Sequence, residues 1–122
     1  MVTTIPMQVS GGVAELRISY PLPFESACQL LGIGVGSRNP RPTYKSYRDQ
    51  MAIPPGGVIA DREAFIKLSL MHQFANYRSG PHFSRQGFTN LLVQHGSLDS
   101  LRQYLSSTYG IVPSPLTLSN DS

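Results

Sequence analysis

The sequence predicts an α+β fold, an antiparallel β-meander with an N-terminal hairpin followed by two C-terminal α-helices. Three observations predict it. Two segments within the first twenty positions are rich in β-branched residues and are joined across two glycines. A period-2 pattern runs through Ala64, Ile66, Leu68, Leu70 and His72. Apolar residues then recur at helical spacing only after His82, and these two periods separate strands from helices.

The 122 residues form one domain, 1–122, close to the commonest domain size. A chain of this length buries roughly 65 to 70% of its unfolded surface, enough for one core. It is 40% hydrophobic and 14% charged, so the surface is poor in charge and favours self-association. Net charge is +3 with a pI near 9.3, which permits a polyanionic partner. Placement is more telling. No acid lies between Ser26 and Arg48, which hold Arg38, Arg41 and Lys45, nor between Ala64 and Leu98, which hold Lys67, Arg78 and Arg85.

Val2–Val9 and Val13–Tyr20, joined across Ser10, Gly11 and Gly12, read as a β-hairpin spanning 1–20. Pro21 and Pro23 end it, because proline cannot donate to a ladder. The region 27–74 reads as sheet: a strand over Ala27–Val35, one over Tyr44–Ile53 stopped by Pro54, Pro55, Gly56 and Gly57, and one long strand or two collinear ones over Val58–Phe74. Two helices follow over 83–109. The first carries Phe83, Phe88, Leu91, Leu92 and His95, with Gly96 as C-cap; Gly87 weakens it by up to about 1 kcal/mol relative to Ala. Ser97 N-caps the second, which carries Leu98, Leu101, Tyr104 and Leu105 and ends at Gly110. The polar tail 113–122 has no predicted element of its own.

Few residues carry recognisable chemistry. Gly32, Gly34 and Gly36 resemble a phosphate loop, but Arg38-Asn-Pro-Arg-Pro follows where such a loop needs a helix to open. His72, His82 and His95 match no common metal spacing, so no metal or cofactor is expected. Ser84, His82 and Asp99 lack any signature that would order them as a triad, and no enzyme is expected. Cys28 is the only cysteine, so an intrachain disulfide is ruled out. The first ten residues lack the pattern of a signal peptide, and no run of about 18 apolar residues exists to span a membrane. The better lead is basic residues among aromatics. As a strand, residues 44–51 put Tyr44, Ser46, Arg48 and Gln50 on one face and Lys45, Tyr47, Asp49 and Met51 on the other. If Arg48 and Gln50 share a face with Phe65, Lys67 and Ser69, that face offers cations, amides and a ring to RNA. Asp49 then points into the core, which the register must accommodate. Two short helices cover a wide sheet poorly, so the pattern predicts a homodimer that exchanges helices or continues the sheet.

The element order resembles the coat proteins of single-stranded RNA bacteriophages, the levivirus type. The likeness is carried by Val58-Ile-Ala-Asp-Arg-Glu-Ala-Phe-Ile-Lys-Leu-Ser-Leu, by Gly87-Phe-Thr-Asn-Leu-Leu, and by Leu105-Ser-Ser-Thr-Tyr-Gly-Ile, over roughly Ala27 to Ile111. The resemblance implies a capsid protein interlocked as a dimer, assembled into an icosahedral shell in the bacterial host cytoplasm and residing in the virion. It implies that single-stranded genomic RNA is packaged on the inner sheet face, with translation repressed through an RNA hairpin. By position, Arg48, Gln50, Phe65, Lys67 and Ser69 stand where that family presents residues to RNA, with Ile66 and Leu68 facing the helices. The competing expectations are a small dimeric α+β nucleic-acid-binding regulator that forms no shell, and an enzyme with a concave pocket.

Overall fold

The computed structural model describes residues 2–9, 12–114 and 117, with side chains from Ile18 onward. Its hairpin pairs β1 (Val2–Val9) with β2 (Gly12–Ser19), Val2 opposite Ser19 and Val9 opposite Gly12. The rest of the predicted meander does not exist. Three helices take its place, α1 (Phe24–Leu31), α2 (Arg41–Gln50) and α3 (Arg62–Ala75), and the two expected C-terminal helices follow as α4 (Arg85–His95) and α5 (Leu98–Tyr109). Beyond the hairpin, the described strands are β3 (Leu22–Pro23) and β4 (Val58–Ile59), which pair as a two-residue ladder. The sheet that two subunits were expected to share across an interlocked dimer is therefore absent. The α+β meander is replaced by helices that share one core, to which α3 contributes the most buried residues.

Each predicted strand fails for a physical reason. The glycines after α1 are not strand residues. Gly32, Gly34 and Gly36 have φ of 80°, 79° and 85°, and Gly32 closes α1 by donating to the carbonyls of Cys28 and Gln29. At Gly34 a Cβ would come within 2.9 Å of the Pro40 Cβ. In α2, Pro42 lies in the first turn, where its missing N–H has no helical partner to lose. Tyr44 and Tyr47, one turn apart, are the buried residues of α2. The same turn of phase moves Asp49 out of the core, and its carboxylate pairs with Lys45 Nζ one turn back at 2.8 Å. The misfit that Asp49 made in a strand was thus a sign of helix.

The error at α3 runs the other way. Asp61 caps the helix by accepting from the Ala64 amide at 2.9 Å, and Glu63 stands in the first turn, where the helix dipole favours acids. Its interior is buried on nearly every side: Phe65, Ile66, Leu68, Ser69, Leu70, Met71 and Phe74. A helix surrounded by protein shows little 3.6-residue periodicity, so accidental alternation imitates a strand. Around α3 stand Phe24, Ala27 and Cys28 from α1, Tyr44 and Tyr47 from α2, Phe88 and Leu91 from α4, and Leu101 and Leu105 from α5, with Ile18 from the hairpin.

The last two helices keep the ends read at Gly96, Ser97 and Gly110, and Ser84 adds an N-cap to α4. Ser84 accepts from the Gly87 amide at 2.9 Å and Ser97 from the Ser100 amide at 3.2 Å. Gly96 and Gly110 close α4 and α5 in the left-handed conformation. The segment predicted as a free tail docks on α3. Ser114 N donates to Ser69 Oγ at 2.7 Å, Arg62 Nε donates to the Thr117 carbonyl at 3.0 Å, and Thr117 is fully buried. Residues 115, 116 and 118–122 lie outside the described residues.

Candidate nucleic-acid interface

In α2, Arg41, Lys45 and Arg48 stand four and three residues apart, which places them on one stripe of the helix. With Glu25 of α1, Pro42 and Tyr44 they line an open groove of about 510 Å³. Arg38 lies exposed in the turn before the helix, where the Asn39 side chain accepts from the Arg41 amide at 3.3 Å. The stripe is little neutralised. Among the described residues the one ion pair is Lys45–Asp49, and both of its side chains are more than half exposed, at 66% and 58%. Screening leaves such a pair nearly neutral in energy, so Lys45 can exchange its partner at little cost. Arg48 is half-buried against Phe24, Gly56 and Gly57, and its Nε is buried with no hydrogen-bond partner in the described structure.

The opposite side of α2 is held by polar contacts. Tyr47 Oη donates to His72 Nδ1 at 3.2 Å, and Asn76 Nδ2 donates to the same nitrogen at 3.2 Å and to the His72 carbonyl at 2.8 Å. Two donors on Nδ1 require a neutral ring protonated at Nε2. Burial pushes the His72 pKa below its ordinary value. Burial also pushes the Tyr47 phenol up, opposed by the Arg85 guanidinium, which lies over the Tyr47 ring with its carbon 5.3 Å from the centroid. Arg85 Nε donates to Ser46 Oγ. These contacts fix the rotation of α2 on α3 and α4, and so fix which side its cations present.

The five residues expected to face RNA do not share a surface. Arg48 alone belongs to the α2 groove. Gln50 is committed to α4: its Nε2 donates to Gln86 Oε1 at 3.1 Å, and its Oε1 accepts from Thr89 Oγ1 at 2.7 Å. Phe65 is wholly buried, its ring edge-on to Tyr20 at 6.4 Å. Ser69 is buried as the acceptor for the tail. Lys67 is half-buried and lines a separate groove of about 420 Å³ with Asp61, Glu63 and Ser97. The correction has one cause. Residues two apart lie on one face of a strand but about 200° apart around a helix. Arg41 and Lys45 were visible as charges, but only a helical phase joins them to Arg48.

The other constellations stay apart. Among the described residues no three His, Cys, Asp or Glu side chains converge to hold a metal ion. Ser84 Oγ is occupied as the α4 cap, and Asp99 lines a different groove with Arg102 and Gln103. Cys28 is buried, and burial, with Glu25 adding to it against Arg48, pushes its thiol up to about 12. No described helix is long and apolar enough to cross a membrane. Compared with known proteins, the chain matches no family model, no curated protein and no solved structure.

Proposed function

We propose that this chain is an RNA-binding protein that seats the phosphate backbone of a single strand along the α2 stripe. The supporting observation is the alignment of Arg41, Lys45 and Arg48 on one side of α2, beside Arg38 and within an acid-free run from Ser26 to Arg48. Guanidinium groups present paired N–H donors to phosphate oxygens, and Lys45 adds a point charge. Arg48 is half-buried, so its guanidinium has already given up part of its hydration and loses less of it on meeting a phosphate.

The capsid reading drew its weight from a strand order that the chain does not have. RNA binding is the part of it that the α2 geometry supports, and shell formation or dimerisation stays a separate proposal. Negative-stain microscopy of the protein expressed in bacteria, with the 260 to 280 nm absorbance ratio of the same fraction, tests that part. Round particles carrying nucleic acid support a shell subunit, whereas a discrete small species supports a regulator.

The RNA-binding proposal is tested by fluorescence anisotropy of a labelled single-stranded RNA titrated at several salt concentrations. Each lost phosphate contact lowers the log–log salt slope by about 0.7 for a single strand. The double variant Arg41→Gln/Lys45→Gln is therefore expected to lower the slope by about 1.4, and affinity at low salt with it. An unchanged slope, or a wild-type protein that does not bind, refutes the proposal.

A further inference from the structure

Aromatic residues distant in sequence meet in a continuous ladder of rings at one end of α3, α4 and α5. His95 stacks on Tyr104 with centroids 4.6 Å apart and planes at 38°, and Tyr104 meets Tyr109 at 6.0 Å. Tyr109 contacts Tyr77 at 5.3 Å and Phe83 at 5.5 Å, Tyr77 and Phe83 are 5.5 Å apart, and His82 follows Phe83 at 5.0 Å. Buried Phe74 forms the floor, 5.1 Å from Phe83. Core formation explains Phe74. It does not explain Tyr77, 39% exposed, or the exposed His82 beside four half-buried rings.

Arg78 decides what such a surface accepts. Its guanidinium carbon stands 4.9 Å from the Tyr77 centroid and 5.3 Å from that of Phe83, so a planar group already rests on these ring faces. A cationic ligand would meet a resident cation there. The flanking chain from Phe65 to Ser97 holds no acid, while Arg78 and His82 lie at the ladder and Arg85 follows it. The chemistry that fits rings and cations without acids is a flat π system joined to negative charge.

We propose that the ladder is a stacking platform for unpaired bases of single-stranded RNA, in which a base takes the place of the Arg78 guanidinium over Tyr77 and Phe83 and the displaced guanidinium meets the adjoining phosphate. The inference rests on the RNA-binding reading and adds to it a second contact surface and a preference for unpaired over duplex strands. Every base has a π face, so the platform is expected to tolerate any sequence.

The test uses the full chain and three labelled probes: a single-stranded RNA, a strand of equal length and charge with abasic residues, and a duplex. Removing one stacking ring, Tyr77→Ala, is expected to weaken single-strand binding by about 5- to 100-fold, whereas Tyr77→Phe keeps wild-type affinity. The wild type is expected to favour the intact strand over the abasic one, and Tyr77→Ala to lose that preference. Arg78→Gln, which leaves every ring in place, reports the cation separately and is expected to weaken both strands. Circular dichroism of each variant confirms that it is folded. If Tyr77→Ala and Arg78→Gln both bind the probes as the wild type does, the platform is refuted. If Arg41→Gln/Lys45→Gln still weakens binding in that case, the α2 reading survives alone; if no variant has an effect, both readings fall.

Discussion

Gly87 gives the sharpest contrast between a sequence rule and this structure. A glycine inside α4 invites replacement by alanine, which on helix propensity alone gains up to about 1 kcal/mol. The structure reverses the sign. A Cβ at position 87 would lie 2.0 Å from the His82 carbonyl oxygen, 3.1 Å from its carbon and 3.2 Å from Ser84 Oγ. The first of these is a backbone atom, so no rotamer relieves the overlap, and α4 must move by roughly an ångström away from the turn at 82–84. That movement strains the Ser84 cap on the Gly87 amide, at 2.9 Å, and loosens Phe83 against Phe74. Overpacking costs about 1–3 kcal/mol and loss of the cap about 1 more, against the gain of about 1. Gly87→Ala is therefore expected to destabilise by about 1–3 kcal/mol, read as a lower urea midpoint at constant slope. Asn90→Ala, exposed on the same helix, supplies the control for propensity. A Gly87→Ala protein as stable as the wild type, or more so, would refute the packing argument. Because Phe83 is a rung of the ladder, the same variant is also expected to bind single-stranded RNA more weakly.

Two further outcomes follow from buried polar groups. The folded pKa of His72 lies below its ordinary 6.5, so the neutral ring contributes stability that is complete above about pH 6.5 and is lost as pH falls through the folded value. Melting temperature is expected to drop through that window in the wild type and less in His72→Gln; superimposable profiles would remove His72 as the cause. Ser69→Ala deprives the Ser114 amide of its acceptor and is expected to cost about 1 kcal/mol with RNA affinity intact. Weaker RNA binding at unchanged stability would instead restore Ser69 as a contact residue.

Local chemistry was legible where it was self-contained. Gly96, Ser97 and Gly110 mark the ends of α4 and α5 because a cap depends only on residues within one turn, and the Ser84 cap of α4 is missed when the helix is begun at Phe83. The hairpin is local in the same sense. Asp61 carries cap chemistry of the same kind for α3, but the period-2 alternation decides the reading there, and it has no meaning in a helix buried on most sides. For α2, two tyrosines one turn apart and a carboxylate that no strand could place were the available signals.

The sequence by itself determined where the charge lies: two acid-free basic runs and the cations within them. Only the tertiary structure decided which of those cations act together. Helical phase joins Arg48 to Arg41 and Lys45, while contacts between elements remove Gln50 to α4, Ser69 to the tail and Phe65 to the core. The ring ladder is the extreme case, since its members come from α3, α4, α5 and the loop between, and no local pattern relates them. Caps and charge runs are properties of neighbours along the chain, whereas a surface is made by residues that packing brings together around the shared core.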